Sequence, residues 1–217
     1  MKKNSIVIGS VLVVVVAFVV AMFAFQNKKA EEVKGAAATG NSSLVQFHSP
    51  TMGPGDAKVT IVEFFDPSCE ACRAYYPYVK SILVENPQKV RLVLRYAAFH
   101  QGSDVVVKML EAAKVQGLFW QSLEAVLKAQ PEWAAHGNPQ VQRVWEILQP
   151  VGLDIEKAKR DMENPRLDAI LKQDMSDLKT LKVERTPTFF VNGKPLLEPS
   201  PDGLRALVQQ EIKVSYP

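Results

Sequence analysis

All the cysteine in the chain lies in one Cys-x-x-Cys pair, Cys69 and Cys72, within the stretch FFDPSCEAC. Two such thiols can carry disulfide exchange, because one thiolate attacks a disulfide and the second thiol resolves the mixed disulfide. A purely structural bond would add little stability, because closing so short a loop removes little entropy from the unfolded chain. The spacing therefore favours a redox role for both cysteines.

A metal site is the main alternative for this pair, because zinc and Cu(I) both bind thiolates. A structural zinc site takes four protein ligands. The chain has no third cysteine, and its three histidines are scattered without ligand spacing. We therefore expect no metal centre, and we keep a non-enzymatic Cu(I)-binding module as an alternative interpretation.

The residues on either side of the pair predict how the chain holds it. Residues 59–66, VTIVEFFD, are β-branched and aromatic and indicate a buried strand. Ser68 is a suitable N-cap for a helix that begins at Cys69. Residues 90–96, VRLVLRY, predict a second strand. Strand, helix-initiating Cys-x-x-Cys and strand form the β-α-β context that is typical of redox proteins.

A cysteine at the start of a helix has altered acidity. The N-terminus of a helix carries about half a positive charge, and its first N–H groups have no partner within the helix. A thiolate at that place is stabilised, so its pKa falls. We expect Cys69 to be the exposed nucleophile. Cys72 lies one turn further along the helix, and we expect it to be more buried and to resolve the mixed disulfide.

The C-terminal part of the chain predicts a hairpin, in the sequence TPTFFVNGKPLL. Residues 188–191 indicate a strand, and Asn192-Gly193 is a strong signal for a two-residue turn. Residues 194–197 are predicted to return as the partner strand. Residues 104–182, between this hairpin and the second strand, predict about five helices, two of them capped by Asp154 and Asn164.

The N-terminal part of the chain predicts a membrane anchor. Residues 6–25 are uncharged and apolar and are long enough to cross a bilayer as a helix. A cleaved signal peptide is the alternative, although its apolar core is usually shorter. We interpret residues 1–5 as a short cytoplasmic end, 6–25 as a transmembrane signal anchor and 26–43 as a flexible linker. In either case the folded part, residues 44–214, is predicted to be exported.

Composition argues against two other classes of protein. The net charge is only +3, from 26 basic and 23 acidic residues, and no basic stripe is present, so we expect no binding to nucleic acid. Two cysteines cannot form a multi-disulfide scaffold, so the folded part must rely on an apolar core. The 47% content of hydrophobic residues is sufficient for such a core.

Two motifs together resemble a known family. EFFDPSCEAC and, far downstream, TPTFFVNGKPL are similar to the DsbA-like branch of the thioredoxin superfamily. The resemblance covers about residues 44–214 and implies an α/β thioredoxin fold with a helical domain inserted at about 104–182. It also implies that Pro187, preceded by Thr186, is in the cis conformation, and that this loop lies against the disulfide and binds the substrate backbone.

The resemblance also assigns a role to Glu63, six residues before Cys69. Enzymes of the DsbA type have a buried strand glutamate at this distance, and in this chain Glu63 would assist proton transfer at Cys72. The alternative for Glu63 is a glutamate whose hydrogen bonds are satisfied or that faces the edge of the sheet. Both interpretations stay open at the level of the sequence.

These observations predict an envelope thiol:disulfide oxidoreductase. Its partners would be exported proteins that carry thiols or disulfides, together with a membrane redox partner and, through residues 6–25, the bacterial inner membrane. The catalytic domain would lie in the periplasm or outside the cell. No cofactor is expected, because the disulfide is itself the redox group. A membrane-tethered scaffold without redox activity is a further alternative.

The direction of exchange is not determined by the motif, because thiol–disulfide exchange is reversible. DsbA-type oxidases carry Pro-His between the cysteines, whereas this chain has Glu70-Ala71. A carboxylate beside Cys69 is expected to raise the pKa of its thiol. Thr186 before the proline is also more similar to reductases and isomerases. We favour a disulfide oxidase, with a reductase or isomerase of the same fold as the alternative.

Overall fold

The computed structural model describes residues 18, 22, 44–135 and 138–217. Strands and helices alternate at first, and helices then dominate the middle of the chain. The strands are β1 (Thr51–Met52), β2 (Val59–Phe65), β3 (Val90–Tyr96), β4 (Thr188–Val191) and β5 (Lys194–Pro195). The helices are α1 (Glu70–Glu85), α2 (Ser103–Val115), α3 (Phe119–Lys128), α4 (Gln130–Trp133), α5 (Arg143–Leu148), α6 (Ile155–Asp161), α7 (Pro165–Thr180) and α8 (Pro201–Ser215).

The strands form one sheet in the order β1-β3-β2-β4-β5. β2 and β3 are parallel, in register from Val59 opposite Val90 to Phe65 opposite Tyr96. β1 pairs antiparallel with β3, and β4 pairs antiparallel with both β2 and β5. A parallel pair needs a crossover connection, which α1 provides here. The carboxyl ends of β2 and β3 therefore share one edge of the sheet, and the Cys-x-x-Cys loop leaves β2 at that edge.

The predicted hairpin is confirmed. Asn192 and Gly193 have φ angles of 48° and 82°, and two positive values in succession are typical of a type I′ turn. The return strand, Lys194–Pro195, is shorter than the predicted 194–197. Pro195 itself has no N–H to donate, and the last backbone hydrogen bond to β4 comes from the N–H of Leu196, to the carbonyl oxygen of Phe189 at 2.9 Å. The hairpin places β4 beside β2, at the centre of the sheet.

A helical region lies between β3 and β4, as the sequence predicts. The caps at Asp154 and Asn164 are confirmed, because their side chains accept hydrogen bonds from the N–H groups of Lys157 and Arg166 at 2.9 and 3.0 Å. The described helices in this region are α2 to α7, so the insertion is divided more finely than the sequence indicates. Pro131 lies in the first turn of the short α4, just after the end of α3.

Alternation along β2 divides its side chains between two apolar clusters. Val59 and Phe65 belong to a large cluster that also contains both cysteines. Val62 and Phe64 belong to a second, smaller cluster on the opposite face of the sheet. Because successive side chains of a strand point to opposite faces, Glu63 lies on the face of the cysteines.

The predicted transmembrane segment, residues 6–25, lies outside the described residues except for Phe18 and Met22, and the predicted linker at 26–43 lies outside them entirely. Within the part of the chain that the structure describes, no helix combines the length and the apolar character that a membrane span requires.

Candidate active site

The redox loop connects the end of β2 to the first turn of α1. The sequence predicts Ser68 as the N-cap of α1, and this prediction is wrong. The N-cap is Cys69, and α1 begins at Glu70. The backbone of Cys69 is extended (φ −75°, ψ 117°), and its Sγ accepts the N–H of Cys72 at 3.4 Å. The Ser68 hydroxyl lies 2.7 Å from Ser103 Oγ and does not cap α1. The cysteine sulfur itself therefore occupies the capping position of the helix.

Both cysteines are free thiols and both are buried. Cys69 is 6% exposed and Cys72 is 0% exposed, so Cys72 is the more buried of the two, but the prediction of an exposed Cys69 is wrong. A distant segment of the chain covers it, because the Thr186 carbonyl oxygen lies 3.3 Å from Cys69 Sγ.

The covering segment is the loop before β4. The peptide bond between Thr186 and Pro187 is cis, as the resemblance implies. This loop and the Cys-x-x-Cys loop are more than 100 residues apart in sequence, yet they meet at the same edge of the sheet because β4 pairs with β2. The structure thus brings Cys69, Thr186 and Pro187 together, as the two motifs predict.

The two thiols have opposite acidities. The pKa of Cys69 is lowered from 9.0 to about 6, chiefly by a hydrogen bond from Cys72. Burial opposes this shift, whereas hydrogen bonds from the Thr186 side chain and from the N–H groups of Cys72 and Ala71 add to it. Burial is the main reason that the pKa of Cys72 is raised far above its ordinary value, and hydrogen bonding to Cys69 and the charges of Glu63 and Cys69 raise it further. At neutral pH Cys69 is therefore mainly a thiolate and Cys72 a thiol.

The lowering of the Cys69 pKa follows the direction that a helix N-terminus predicts. The expected opposing influence of Glu70 does not prevent it. Glu70 is exposed, so solvent and ions screen its carboxylate from Cys69. The donors that act on the sulfur lie within the first turn of α1 and in the loop at Thr186.

Glu63 lies beneath this pair on β2 and is only 1% exposed. Its pKa is raised from 4.5 to about 8, first by burial and then by the charge of Cys69. Among the described residues none forms a hydrogen bond with Glu63 Oε2. Glu63 is thus mainly protonated at neutral pH, and the alternative of a glutamate with all its hydrogen bonds satisfied does not describe this oxygen.

Sequence reasoning missed two polar residues that hold the loop. Asp66 is fully buried and accepts hydrogen bonds from the N–H groups of Ser68, Phe99 and His100 at 2.8, 2.8 and 3.0 Å. Gln130, on α4 in the insertion, is 2% exposed and donates to backbone carbonyls of the redox loop. An acid at the end of a buried strand was a usable signal for Asp66, whereas Gln130 has no signal in the sequence.

The described part of the chain contains no group of three or more histidine, cysteine or carboxylate side chains that could hold a metal ion. The site has instead the elements of disulfide exchange: a thiolate-forming sulfur, a buried thiol one turn away, a protonated carboxyl group beneath them and a backbone loop beside the sulfur.

Comparison with known proteins agrees with this geometry. The thioredoxin family model matches residues 46–210. A solved thioredoxin-like oxidoreductase from Silicibacter pomeroyi is 30% identical to this chain, with a TM-score of 0.69, and the match covers 79% of this chain and 97% of that one. A protein described as probable disulfide bond formation protein D from Bacillus cereus is 25% identical, over 98% of this chain and 100% of its own length.

A Na⁺/H⁺ antiporter NhaA of Herminiimonas arsenicoxydans is 28% identical over 144 residues. The match covers 66% of this chain but only 22% of the antiporter, so the chain spans about a fifth of the length of such relatives.

The matched family, the cis-proline loop and the helical insertion confirm the resemblance seen in the two motifs. The chain belongs to the thioredoxin family and has the DsbA-like form of its α/β fold.

Proposed function

We propose that this protein is a thiol:disulfide oxidoreductase that exchanges disulfides with exported proteins through Cys69 and Cys72. The observation that carries the proposal is the asymmetry of the two thiols, a Cys69 with a pKa of about 6 beside a Cys72 whose pKa is raised. A sulfur with a low pKa is a good leaving group and a populated thiolate at neutral pH. The asymmetry thus defines which sulfur meets the substrate.

Oxidation of a substrate takes two exchanges. A substrate thiolate attacks Cys69 Sγ of the Cys69–Cys72 disulfide, the S–S bond breaks, and Cys72 leaves with the electron pair. A second substrate thiolate then attacks the substrate sulfur of the mixed disulfide, and Cys69 leaves as a thiolate. The substrate loses two electrons and gains a disulfide, and the protein becomes the dithiol. A reductase would run the same steps in reverse.

Glu63 is proposed to exchange a proton with Cys72 during these steps. Cys72 leaves as a thiolate in a buried place where burial strongly favours the neutral thiol. A carboxyl group with a pKa of about 8 can donate a proton at neutral pH and recover it when Cys72 must become nucleophilic. Thr186 and Pro187 are proposed to bind the substrate backbone, because their loop lies directly beside Cys69.

We favour oxidation as the direction of the reaction. Hydrogen bonding that lowers the pKa of Cys69 stabilises the reduced form, and a stabilised reduced form makes the disulfide a stronger oxidant. The relative from Bacillus cereus is named for disulfide bond formation, which agrees with this direction. The Glu70-Ala71 dipeptide is the feature that favours the alternative, a reductase or isomerase.

The proposed location is the cell envelope. Residues 6–25 are proposed to anchor the chain in the inner membrane as a single helix, with the catalytic domain on the outer side. A membrane redox partner would then reset the dithiol to the disulfide after each cycle. No further cofactor is needed, because the exchanging bond carries both electrons.

The proposal is tested by trapping with the full-length protein and a peptide that carries a reactive disulfide. Cys72→Ser is expected to accumulate a mixed disulfide between Cys69 and the peptide, because no resolving thiol remains. Cys69→Ser is expected to form none, because Cys72 is fully buried and its thiol stays protonated. Equal trapping by both variants, or trapping by neither, contradicts the proposal.

The direction is tested separately by equilibration of the wild type with glutathione redox buffers, followed by alkylation of free thiols. A potential more oxidising than that of the glutathione couple supports an oxidase. A potential near that of thioredoxin supports the reductase alternative.

A further inference from the structure

We propose that Gln130, in the helical insertion, is a positioning residue that holds the redox loop in the shape that stabilises the Cys69 thiolate. The inference deepens the function proposed above and rests on it for its biological meaning. Gln130 does not contact either sulfur in the hydrogen bonds that the structure records. It acts through the backbone of the loop. In the sequence, Gln130 lies more than 50 residues after Cys69.

The contacts of Gln130 use both ends of its amide group. Its Nε2 donates to the carbonyl oxygen of Pro67 at 2.8 Å and to that of Cys69 at 3.0 Å. Its Oε1 accepts from Arg73 Nε at 3.0 Å. Arg73 can only donate and a carbonyl can only accept, so these partners define the orientation of the amide. One buried side chain thus bridges the loop before Cys69 and the first turn of α1.

These contacts define the geometry on which the thiolate depends. The carbonyl of Cys69 is also the acceptor for the N–H of Arg73, at 3.1 Å, in the first turn of α1. With Pro67 and Cys69 both held by Gln130, the extended backbone at Cys69 keeps Sγ over the N–H of Cys72. A change of a few tenths of an ångström at the N-cap would weaken the donors that favour the anion.

The support behind Gln130 is rigid. It opens α4, and Trp133 on the same helix is fully buried and donates from Nε1 to the carbonyl of Val126 at 2.9 Å. A glutamine on a solvent-exposed helix would lose rotamer entropy in holding two carbonyls, whereas one packed at 2% exposure has already lost it. The insertion therefore contributes to the chemistry of the thioredoxin core and does not only cover it.

The test compares Gln130→Met with Gln116→Met in the full-length protein. Methionine keeps the length of the side chain and removes all its strong hydrogen bonds. Gln116 is the matched control, because it follows α2 in the same insertion and also makes two hydrogen bonds to backbone, with the N–H and carbonyl of Asp154 at 3.0 and 3.1 Å. It does not touch the redox loop, so it reports the general cost of such a change in the insertion.

Two measurements are made on each variant: titration of Cys69 by the ultraviolet absorbance of its thiolate, and the equilibrium with glutathione. For Gln130→Met we expect weaker stabilisation of the thiolate, by roughly three- to tenfold in its ionisation constant. The equilibrium is expected to move toward the protein disulfide in the same sense. Gln116→Met is expected to leave both quantities at the wild-type values.

The proposal is overturned if the two methionine variants titrate alike, or if Gln130→Met titrates as the wild type does. Should Gln130→Met not fold, Gln130→Asn provides the test, because it keeps an amide but is too short to reach both carbonyls, and an unchanged ionisation constant there also overturns it. Failure of the wild type to exchange with glutathione would contradict the proposed function alone, since the thiolate titration needs no exchange.

Discussion

The two faces of the sheet each bury an ionisable residue on a central strand, and the surroundings of the two residues differ. On the face of α1, Glu63 of β2 lies among apolar residues with Oε2 unbonded to any described residue. On the other face, Arg95 of β3 is 0% exposed and donates to Asp174 at 2.8 Å and Asp177 at 2.6 Å, both on α7. The first face holds the redox pair, and the second holds the insertion against the sheet.

The two buried carboxyl groups, Glu63 and Asp174, show the consequence. Burial raises the pKa of Glu63 to about 8, because no opposing donor compensates for the lost hydration. Burial acts on Asp174 in the same direction, but hydrogen bonding to His48, the charge of Arg95 and the N–H of Tyr96 outweigh it and lower its pKa. The comparison teaches that pairing, and not burial, decides whether a buried carboxyl group stays charged.

The charged cluster on the second face also holds the start of the described segment 44–135. His48 Nε2 lies 2.7 Å from Asp174 Oδ1, and Gln46 donates to Asp177 Oδ2 at 2.9 Å. Lys114 on α2 donates to the carbonyl oxygen of His48 at 2.7 Å. The segment that follows the proposed linker is thus fixed to the insertion and to β3 by polar contacts.

The largest effect is expected from breaking the buried ion pair between Arg95 and Asp174. Asp174→Asn removes a buried anion that compensates Arg95, and we expect it to lower the free energy of unfolding by about 3–5 kcal/mol in urea denaturation. Because the folded protein lowers the pKa of Asp174, its contribution is complete above the ordinary value of 3.8 and is lost as the pH falls through the folded pKa. The difference between variant and wild type should therefore shrink in acid.

The control for Asp174 lies on the same helix. Asp168 pairs with Lys108, and its side chain is 71% exposed. Asp168→Asn is expected to change the free energy of unfolding by less than about 1 kcal/mol, because exposed ion pairs contribute little. Equal losses at Asp174 and Asp168 would show that the cluster does not act as a buried charge network.

The second prediction concerns the unpaired side. The folded protein raises the pKa of Glu63, so between pH 4.5 and about 8 the folded state binds the proton more tightly, and stability falls as the pH rises through this window. Glu63→Gln cannot ionise and escapes this loss. Relative to the wild type, we expect the variant to gain about 2–3 kcal/mol between pH 5 and pH 7 in urea denaturation of the reduced proteins.

For Glu63, the decisive quantity is how the free energy of unfolding changes with pH. The buried glutamine amide of the variant shifts that free energy by the same amount at every pH. Glu70→Gln is the control, since Glu70 is an exposed carboxylate in the first turn of α1. A pH-independent difference between Glu63→Gln and the wild type would mean that Glu63 is paired after all and titrates in its usual range.

The comparison also shows where sequence reasoning succeeds and where it stops. The β-branched and aromatic runs of β2 and β3, the Asn192-Gly193 turn and the Cys-x-x-Cys spacing are local signals, and each led to the correct element. The prediction of Ser68 as N-cap was wrong, because α1 begins one residue later with Cys69 as its N-cap, and the Ser68 hydroxyl lies beside Ser103 of the insertion. Contacts of this kind depend on packing between distant segments and leave no local pattern.

The same reason explains why Cys69 is buried although it was predicted to be exposed. A cysteine at a helix N-terminus is expected to face solvent, and only the approach of Thr186 from beyond the insertion buries it. The resemblance to the family supplied the cis-proline loop, which spacing alone did not give. Neither the local sequence pattern nor the family resemblance predicted Gln130, because neither its own segment nor the motifs mark it as a partner of the redox loop.

The smallest effect on stability is expected from removing the neutral, unpaired hydroxyl group of Ser122. Ser122 on α3 is fully buried, and its Oγ has no hydrogen-bond partner in the part of the chain that the structure describes. Ser122→Ala removes an unsatisfied hydroxyl and improves helix propensity, so we expect a gain of up to about 1 kcal/mol in the free energy of unfolding. No change of this gain with pH is expected, because a neutral hydroxyl does not titrate.

Ser103 on α2 provides the matched serine with partners, since it is equally buried and its hydroxyl lies 2.5 Å from Asp66 Oδ1. Ser103→Ala leaves that carboxylate with one donor fewer, and a loss of about 1–3 kcal/mol is expected. The two alanine variants should therefore differ in sign. If Ser122→Ala also destabilises the protein, the Ser122 hydroxyl has a hydrogen-bond partner. Glu63 Oε2 would then be the one remaining unpaired atom of the two identified among the described residues.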